Sequence, residues 1–180
     1  MSSLIGSCMI AKGARMVSSM EARRMPRDLN LSRVALTIVT GAPGSGKSTF
    51  VAERAGAKDL IICLDTIRAG IQTADGPLRG QAGLTEVLDV RNSLLSSLAT
   101  DDTHEAAWFI VSAPDAAERA HWHKMLGGEM VVLKTPLYEC RRRICSDLAR
   151  IHDRRGRVAA AEAWWSANWW LADDRGPMIY

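Results

Sequence analysis

Apolar and polar residues alternate in blocks along the chain, and the blocks predict strands separated by helices. Four short runs rich in β-branched and apolar residues, at 34–40, 60–64, 106–111 and 130–133, are typical of buried parallel strands. Helices are predicted at 47–54, 84–99, 115–126, from 137 onwards and at 158–171. This alternation predicts a three-layer α/β sandwich, in which helices cover both faces of a mostly parallel sheet of about four to five strands.

Two stretches lack such a pattern. Residues 1–33 show neither the apolar periodicity of a helix nor that of a strand. They are predicted to be a flexible or loosely docked extension, so that one domain would span 34–180. Residues 70–83 contain Gly70, Gly76, Gly80 and Gly83 and few apolar side chains, which predicts a long mobile loop that covers substrates.

The first strand leads into a loop that fits the pattern G-x-x-x-x-G-K-[ST] at every fixed position. The loop is Gly41-Ala42-Pro43-Gly44-Ser45-Gly46-Lys47-Ser48-Thr49. Its glycines let successive backbone N–H groups point inward, and the following helix adds its positive dipole end. Lys47 can then reach the β- and γ-phosphates of a nucleotide, and the Ser48 hydroxyl can be a ligand of Mg²⁺. A glycine-rich turn without a ligand is the alternative, but the strand before the loop and the helix after it favour phosphate binding.

Asp65 directly follows the second strand, at the sheet edge where an open α/β fold places its ligands. Its carboxylate could accept the proton of an attacking hydroxyl, and Arg68, one helical turn later, could hold a phosphate of the acceptor. The same spacing is also found where an aspartate caps a helix and pairs with an arginine.

The most basic stretch of the chain lies near residues 139–157 and predicts an arginine lid. Phosphoryl transfer needs donors directed at the charge on the moving group, and Arg143 and Arg150 are the candidates. They are seven positions apart and would share a face if the helix is unbroken. A solvated basic helix surface is the alternative for any one of these arginines.

Four tryptophans, Trp164, Trp165, Trp169 and Trp170, lie in the last predicted helix. They could stack on nucleic-acid bases, but their helical spacing favours packing against the sheet, because tryptophan buries a large area.

Composition sets few limits on function. The 180 residues are 47% hydrophobic, and the net charge of +3 neither establishes nucleic-acid binding nor opposes a polyanionic substrate. The four cysteines form no C-x-x-C pair, and no apolar run reaches the length of a membrane span. These features predict a cytoplasmic protein with no membrane partner, and the oligomeric state stays open.

The order of these motifs resembles the P-loop kinases of the polynucleotide kinase type within the P-loop NTPase superfamily. The features that match are the loop, Asp65-x-x-Arg68, a later strand followed by Glu118-Arg119 and Trp122, and an arginine lid. The chain also resembles small ATP-binding proteins that are labelled AAA-domain proteins in phage genomes. The resemblance covers residues 34–157 and implies ATP and Mg²⁺ as cofactors. It also implies a base role for Asp65 and a contact between Arg68 and acceptor phosphate.

The third strand departs from that pattern at its carboxyl end. Proteins of this kind usually carry a carboxylate there that orients Mg²⁺ or its water, but this chain has Val111-Ser112-Ala113 and no acid before Asp115. Metal handling would therefore rest on Ser48, helped by Ser112 or Asp65. AAA+ motors fit poorly, because the chain is short and lacks their acidic pair on this strand.

The sequence therefore predicts an ATP-binding phosphotransferase that acts on a nucleotide, a nucleic-acid end or another small acceptor. Two alternatives stay open. One is an ATP-dependent switch or assembly ATPase that works with a partner, which the missing carboxylate favours. The other is a nucleic-acid-binding accessory protein that uses the arginine helix and the tryptophans.

Overall fold

A computed structural model describes residues 19–73, 76–77, 80–168 and 178–179 of the chain. The helices are α1 (Ser19–Arg24), α2 (Lys47–Ala52), α3 (Leu64–Gly70), α4 (Gly80–Ser97), α5 (Ala116–Leu126), α6 (Leu137–Ser146) and α7 (Arg154–Ala167), and a 3-10 helix lies at Leu148–Asp153. The strands are β1 (Ala35–Gly41), β2 (Leu60–Cys63), β3 (Gln72–Thr73), β4 (Gly76–Pro77), β5 (Ala106–Ile110), β6 (Glu129–Leu133) and β7 (Met178–Ile179).

Among the described residues, five strands form one sheet in the order β2-β5-β1-β6-β7. The first four are parallel to one another, and the two residues of β7 pair antiparallel to β6. This order confirms the predicted α/β fold with a mostly parallel sheet. Helices lie between the parallel strands because a connection between two parallel strands has to cross back over the sheet.

Helices cover both faces of the sheet, as the alternation of side chains along β1 shows. Leu36 and Ile38 point into the larger core, where α4 and α5 pack, and Phe109 of β5 meets the Trp122 ring there edge to face at 5.0 Å. Val39 points to the other face and packs with Val51 of α2. The side chains of a strand alternate between its faces, so both layers follow directly from the sequence of β1.

The basic segment differs from the expected unbroken helix. Helix α6 ends at Ser146, and Asp147 adopts an extended conformation with φ −77° and ψ 90°. The 3-10 helix follows, with a non-helical Arg150, and α7 begins at Arg154 rather than at the predicted 158. The unbroken helix on which Arg143 and Arg150 would share a face is therefore not present.

Residues 19–33 of the N-terminal segment, for which a flexible or loosely docked extension was expected, contact the rest of the domain. Helix α1 packs against α4, and Leu29 is buried in the larger core. The Ser32 and Arg33 amides donate hydrogen bonds to the carbonyls of Leu126 and Leu98. Residues 1–18 lie outside the described residues, and the proposed boundary at 33/34 stays a prediction.

The glycine-rich segment contains more regular structure than expected. Strands β3 and β4 pair antiparallel, and α4 already begins at Gly80 instead of 84. Residues 74–75 and 78–79 of the predicted mobile loop lie outside the described residues.

Candidate functional site

The parallel strands end together at one edge of the sheet, and a cleft of about 770 Å³ opens there. The register pairs Val39 with Ile110, Cys63 with Ile110, and Gly41 with Leu133. The segments that follow β1, β2 and β5 all contribute to the cleft, together with the basic segment after α6. The strand ends therefore bring together motifs that are far apart in sequence.

The phosphate-binding loop takes its shape from glycines that adopt positive φ angles. Gly44 and Gly46 have φ angles of 78° and 93°, which residues with a Cβ atom rarely adopt. A Cβ atom on Gly44 would lie 2.6 Å from the Cys140 carbonyl oxygen and 3.0 Å from Ile144 Cγ1, both in α6. The loop therefore packs directly against the helix that carries Arg143.

We expect Gly44→Ala to lower the free energy of unfolding by about 1–3 kcal/mol, because the new Cβ is strained and pushes α6 away. Gly70→Ala is the matched control, since a Cβ there meets nothing within 4 Å. Chemical denaturation of both variants measures the difference. Equal stability of the two variants would contradict the close packing of the loop on α6.

Lys47 lies at the start of α2, and its ammonium group is turned back onto the loop. Nζ donates hydrogen bonds to the carbonyl oxygens of Gly41 at 2.8 Å and Ala42 at 2.9 Å. Burial lowers the pKa of Lys47 to about 8. A polyphosphate would restore the charge that burial disfavours, because an anion favours the protonated amine.

The lowered pKa of Lys47 makes ATP binding depend on pH. In the protein without nucleotide, the Lys47 ammonium group loses its proton above about pH 8. Bound phosphate raises the pKa of Lys47, so the affinity for ATP is constant below that pH. Above it, affinity falls by up to about tenfold per pH unit. Calorimetry between about pH 7 and about pH 9.5, in two buffers that differ in ionisation enthalpy, measures the affinity and the proton taken up. A constant affinity without proton uptake would show that Lys47 stays charged without ligand.

Asp65 and Arg150 meet across the cleft. Arg150 Nη1 donates to Asp65 Oδ2 at 2.8 Å, and this carboxylate raises the pKa of Arg150. Both side chains line the cleft with Lys47. Arg150 thus reaches the site although the helix is broken before it.

The other two predicted arginines differ from each other. Arg143 lines the cleft, and its Nη1 lies 3.4 Å from the Ser45 carbonyl oxygen while Nε donates to Glu139. Arg68 is exposed on α3 and is not among the residues that line the cleft. The structure thus does not place Arg68 with Asp65 in the site, although they are three residues apart on one short helix.

No protein-family model matches the sequence, and a search of curated proteins gives no match. Among solved structures, the chain is similar to a chain in the structure of the Pnkp1/Rnl/Hen1 RNA repair complex, with a TM-score of 0.56 and 17% identity. The chain has a P-loop kinase-like fold.

That similarity covers 84% of this chain and 50% of the other, so this chain spans about half the length of the structure that it matches. A further similarity is to TT1252 from Thermus thermophilus, with a TM-score of 0.47 and 20% identity, over 72% of this chain and 80% of that one. None of the described helices is both long and apolar enough to cross a membrane.

Residues 111–114, which follow β5, include no carboxylate, but side chains hold their backbone firmly. Trp164 Nε1 donates to the Ser112 carbonyl oxygen at 2.9 Å, and Arg119 Nη1 donates to that of Ala113 at 2.9 Å. Asn168 Nδ2 donates to the Pro114 carbonyl oxygen. Ala113 has a positive φ of 38°. The loop is therefore fixed with Ser112 at the cleft.

The described tryptophans of α7 are packing residues. Trp164 and Trp165 are 1% and 8% exposed, and Trp165 Nε1 donates to the Thr135 carbonyl oxygen. They are therefore not available to stack on bases. Trp169 and Trp170 lie outside the described residues.

Within the part of the chain that the structure describes, no three metal-ligating side chains cluster. Magnesium does not need such a cluster beside a nucleotide, because it keeps waters and binds phosphates with one or two protein ligands. Ser48 is exposed in the first turn of α2 and lines the cleft, as does Asp65. Oxygen donors of this kind fit magnesium.

Several residues that line the cleft were not singled out as site residues from the sequence. They are Arg24, Leu84, Leu88, Arg91, Glu118, Asp147, Asp153 and Arg157. Arg157 Nη1 donates to Asp147 Oδ2 at 2.7 Å, which lowers the pKa of Asp147 and ties the start of α7 to the end of α6. One signal was present for Arg91, because it occupies a position in the apolar face of α4.

Proposed function

We propose that the chain binds ATP with Mg²⁺ and transfers the γ-phosphoryl group to a hydroxyl or phosphate of an acceptor. The acceptor would be a nucleotide, a nucleic-acid end or another small molecule. The observation that carries this proposal is that Lys47, Asp65 and Arg150 line the same cleft, where Arg150 pairs with Asp65. Phosphoryl transfer requires a lysine that binds phosphate, an exposed carboxylate and a cation on a long side chain.

The donor end would be the loop 41–49. Its backbone N–H groups and Lys47 would hold the β- and γ-phosphates, and Arg143 would neutralise charge on the transferred group. A Cβ on Gly46 would lie 3.0 Å from Arg143 Nη1, so this cation already lies beside the loop. Ser48 would hold Mg²⁺, which supplies charge neutralisation on the phosphates when bound.

The acceptor end would be at Asp65. The acceptor hydroxyl oxygen would form a bond to the γ-phosphorus as the bond to the bridging oxygen of ADP breaks, and Asp65 would take the hydroxyl proton. In the structure, Arg150 pairs with this carboxylate. The triphosphate carries more negative charge than one carboxylate, so we propose that it draws Arg150 away and leaves Asp65 free for the acceptor.

Production of ADP in the presence of an acceptor panel tests this function. The panel contains nucleosides, nucleotides and 5′-hydroxyl oligonucleotides; nucleic-acid ends are included because the matched solved structure is described as an RNA repair complex. One acceptor class is expected to raise the rate well above that of the protein with ATP and Mg²⁺ alone. A rate that no acceptor changes would contradict the proposal.

The second candidate is an ATP-dependent switch or assembly ATPase. The observation that favours it is the loop 112–114, which offers a serine where a carboxylate would orient Mg²⁺ or water. This candidate predicts slow phosphate release that a protein or nucleic-acid partner stimulates, with no phosphorylated acceptor. The same assay separates the two candidates, because phosphate and phosphorylated acceptor are different products.

A further inference from the structure

The cleft has a wall that the proposed donor site does not use. The lid residues Arg143, Arg150 and Arg157 come from the segment after β6, whereas Leu84, Leu88 and Arg91 of α4 line another part. Helix α4 packs against β2, α3 and α1. Since α3 carries Asp65, we call the cleft surface of α4 and α1 the acceptor wall.

Helix α1 is fixed to this wall by a buried cation. Arg91 is 3% exposed, and its Nη2 donates to the carbonyl oxygens of Arg23 at 2.8 Å and Arg24 at 2.9 Å. Asn92 Nδ2 also donates to the Arg23 carbonyl, at 2.9 Å. A helix leaves its last carbonyls without intrahelical partners, so the end of α1 and the buried guanidinium satisfy each other.

Further contacts make this attachment specific. The Arg91 guanidinium lies 5.1 Å from the centre of the Trp122 ring, and burial lowers its pKa to about 10. At the surface, Arg23 Nε donates to Asp89 Oδ1 at 2.9 Å. Removing α1 would leave a buried charge without its carbonyl partners, which is costly.

The attachment holds the Arg24 side chain at the rim of the cleft. Arg24 lines the cleft and is exposed, and no described residue forms an ion pair with its guanidinium. Arg27 lies three residues later and is also exposed, but it does not line the cleft. A guanidinium on a fixed backbone, without a counter-ion, is suited to bind a phosphate through two parallel hydrogen bonds.

The remaining groups of the wall are compatible with an anionic acceptor. Leu84 and Leu88 offer apolar contact to an uncharged part of it. Glu118 of α5 also lines the cleft; Trp122 Nε1 lies 3.5 Å from its Oε1, and burial raises its pKa. One of the Glu118 carboxylate oxygens therefore faces the indole of Trp122.

We propose that Arg24 binds a phosphate group of the acceptor, so that the N-terminal segment forms part of the acceptor subsite. This inference rests on the proposed function, because that function makes the Asp65 side of the cleft the acceptor side. ATP is not the expected ligand of Arg24, since Arg24 is attached through α4 and not through the loop or the lid.

The test measures acceptor binding and does not require transfer. With Mg²⁺ and a non-hydrolysable ATP analogue bound to the full chain, calorimetry measures the affinity for a dinucleotide, ribose 5-phosphate and an unphosphorylated nucleoside. We expect Arg24→Ala to weaken binding of at least one phosphate-bearing probe about tenfold. Binding of the nucleoside and of the ATP analogue should not change. Arg24→Lys should restore part of the loss, and the matched control Arg27→Ala should resemble the wild type.

The two phosphate-bearing probes distinguish a nucleic-acid acceptor from a small sugar phosphate, and dependence of either probe on Arg24 supports the inference. The inference is overturned if Arg24→Ala binds both probes as the wild type does, or if the wild type binds neither. An equal loss of nucleoside binding would also overturn it, because it would indicate a change in structure. Binding that depends on Arg24 without transfer to any acceptor would reject the proposed function alone.

Discussion

Replacement of Lys47 by alanine is expected to weaken ATP binding by at least about 100-fold. The ammonium group would make charge-assisted hydrogen bonds to two phosphates, each worth about 1.5–3 kcal/mol. Lys47 is already at the loop, where it donates to the Gly41 and Ala42 carbonyls, so binding needs only a local movement of one side chain. Calorimetric titration with ATP and Mg²⁺ measures the loss.

Lys58→Ala is the matched control for this variant. Lys58 pairs with Glu105 at 2.9 Å on the surface, and its side chain is 73% exposed. Removal of such a pair changes stability by no more than about 1 kcal/mol. Circular dichroism of both variants shows that they are folded. An ATP affinity of Lys47→Ala within about threefold of the control would contradict phosphate binding by this loop.

Replacement of Asp65 by asparagine is expected to reduce phosphoryl transfer by about 10²–10⁴-fold, because the amide cannot accept the acceptor proton. ATP affinity should be unchanged or slightly higher, since Arg150 loses its ion pair and becomes free to meet the phosphates. Single-turnover transfer with saturating ATP measures the first effect, and titration with ATP measures the second.

Asp102→Asn provides the control, because Asp102 lies in the exposed stretch between α4 and β5, away from the cleft. It should transfer at the wild-type rate. Full transfer by Asp65→Asn would exclude Asp65 as the base. Loss of ATP binding in this variant would assign Asp65 to the nucleotide instead of the acceptor.

The sheet and the phosphate-binding loop could be predicted because their signals are local. Buried strands such as residues 35–41 are short and β-branched, and the loop has fixed glycine and lysine positions. The position of Asp65 at the cleft edge of the sheet could also be predicted, because Asp65 directly follows the second predicted strand. These features depend on the order of residues within about ten positions of each other.

The lid could be predicted only as a basic region. Arg143 and Arg150 would share a face only on an unbroken helix. The chain instead turns at Asp147, and Arg157 pairs with the Asp147 carboxylate. Arg150 nevertheless reaches Asp65, because the 3-10 helix redirects it. The ion pair between Asp147 and Arg157 that accompanies this turn joins residues ten positions apart, which helical periodicity does not include.

The acceptor wall could not be predicted because its contacts join distant segments. Arg91 meets the carbonyls of α1 from 67 and 68 positions away. An arginine in the apolar face of a helix indicates a buried cation, but it does not identify the carbonyls that satisfy it. Arg68 does not line the cleft, although its helical spacing from Asp65 is the one expected, and its role as a phosphate contact stays a prediction.

The central claim is that this chain moves the γ-phosphoryl group of ATP to an acceptor, and the fate of a labelled γ-phosphate tests it most directly. Protein, Mg²⁺ and γ-labelled ATP are incubated with the acceptor panel, and the products are separated. We predict label on one class of acceptor, in amounts equal to the ADP formed, and transfer to that acceptor about 10²–10⁴-fold slower with Asp65→Asn. Label found only as inorganic phosphate, or retained on bound ATP, would contradict the claim and favour the ATPase switch.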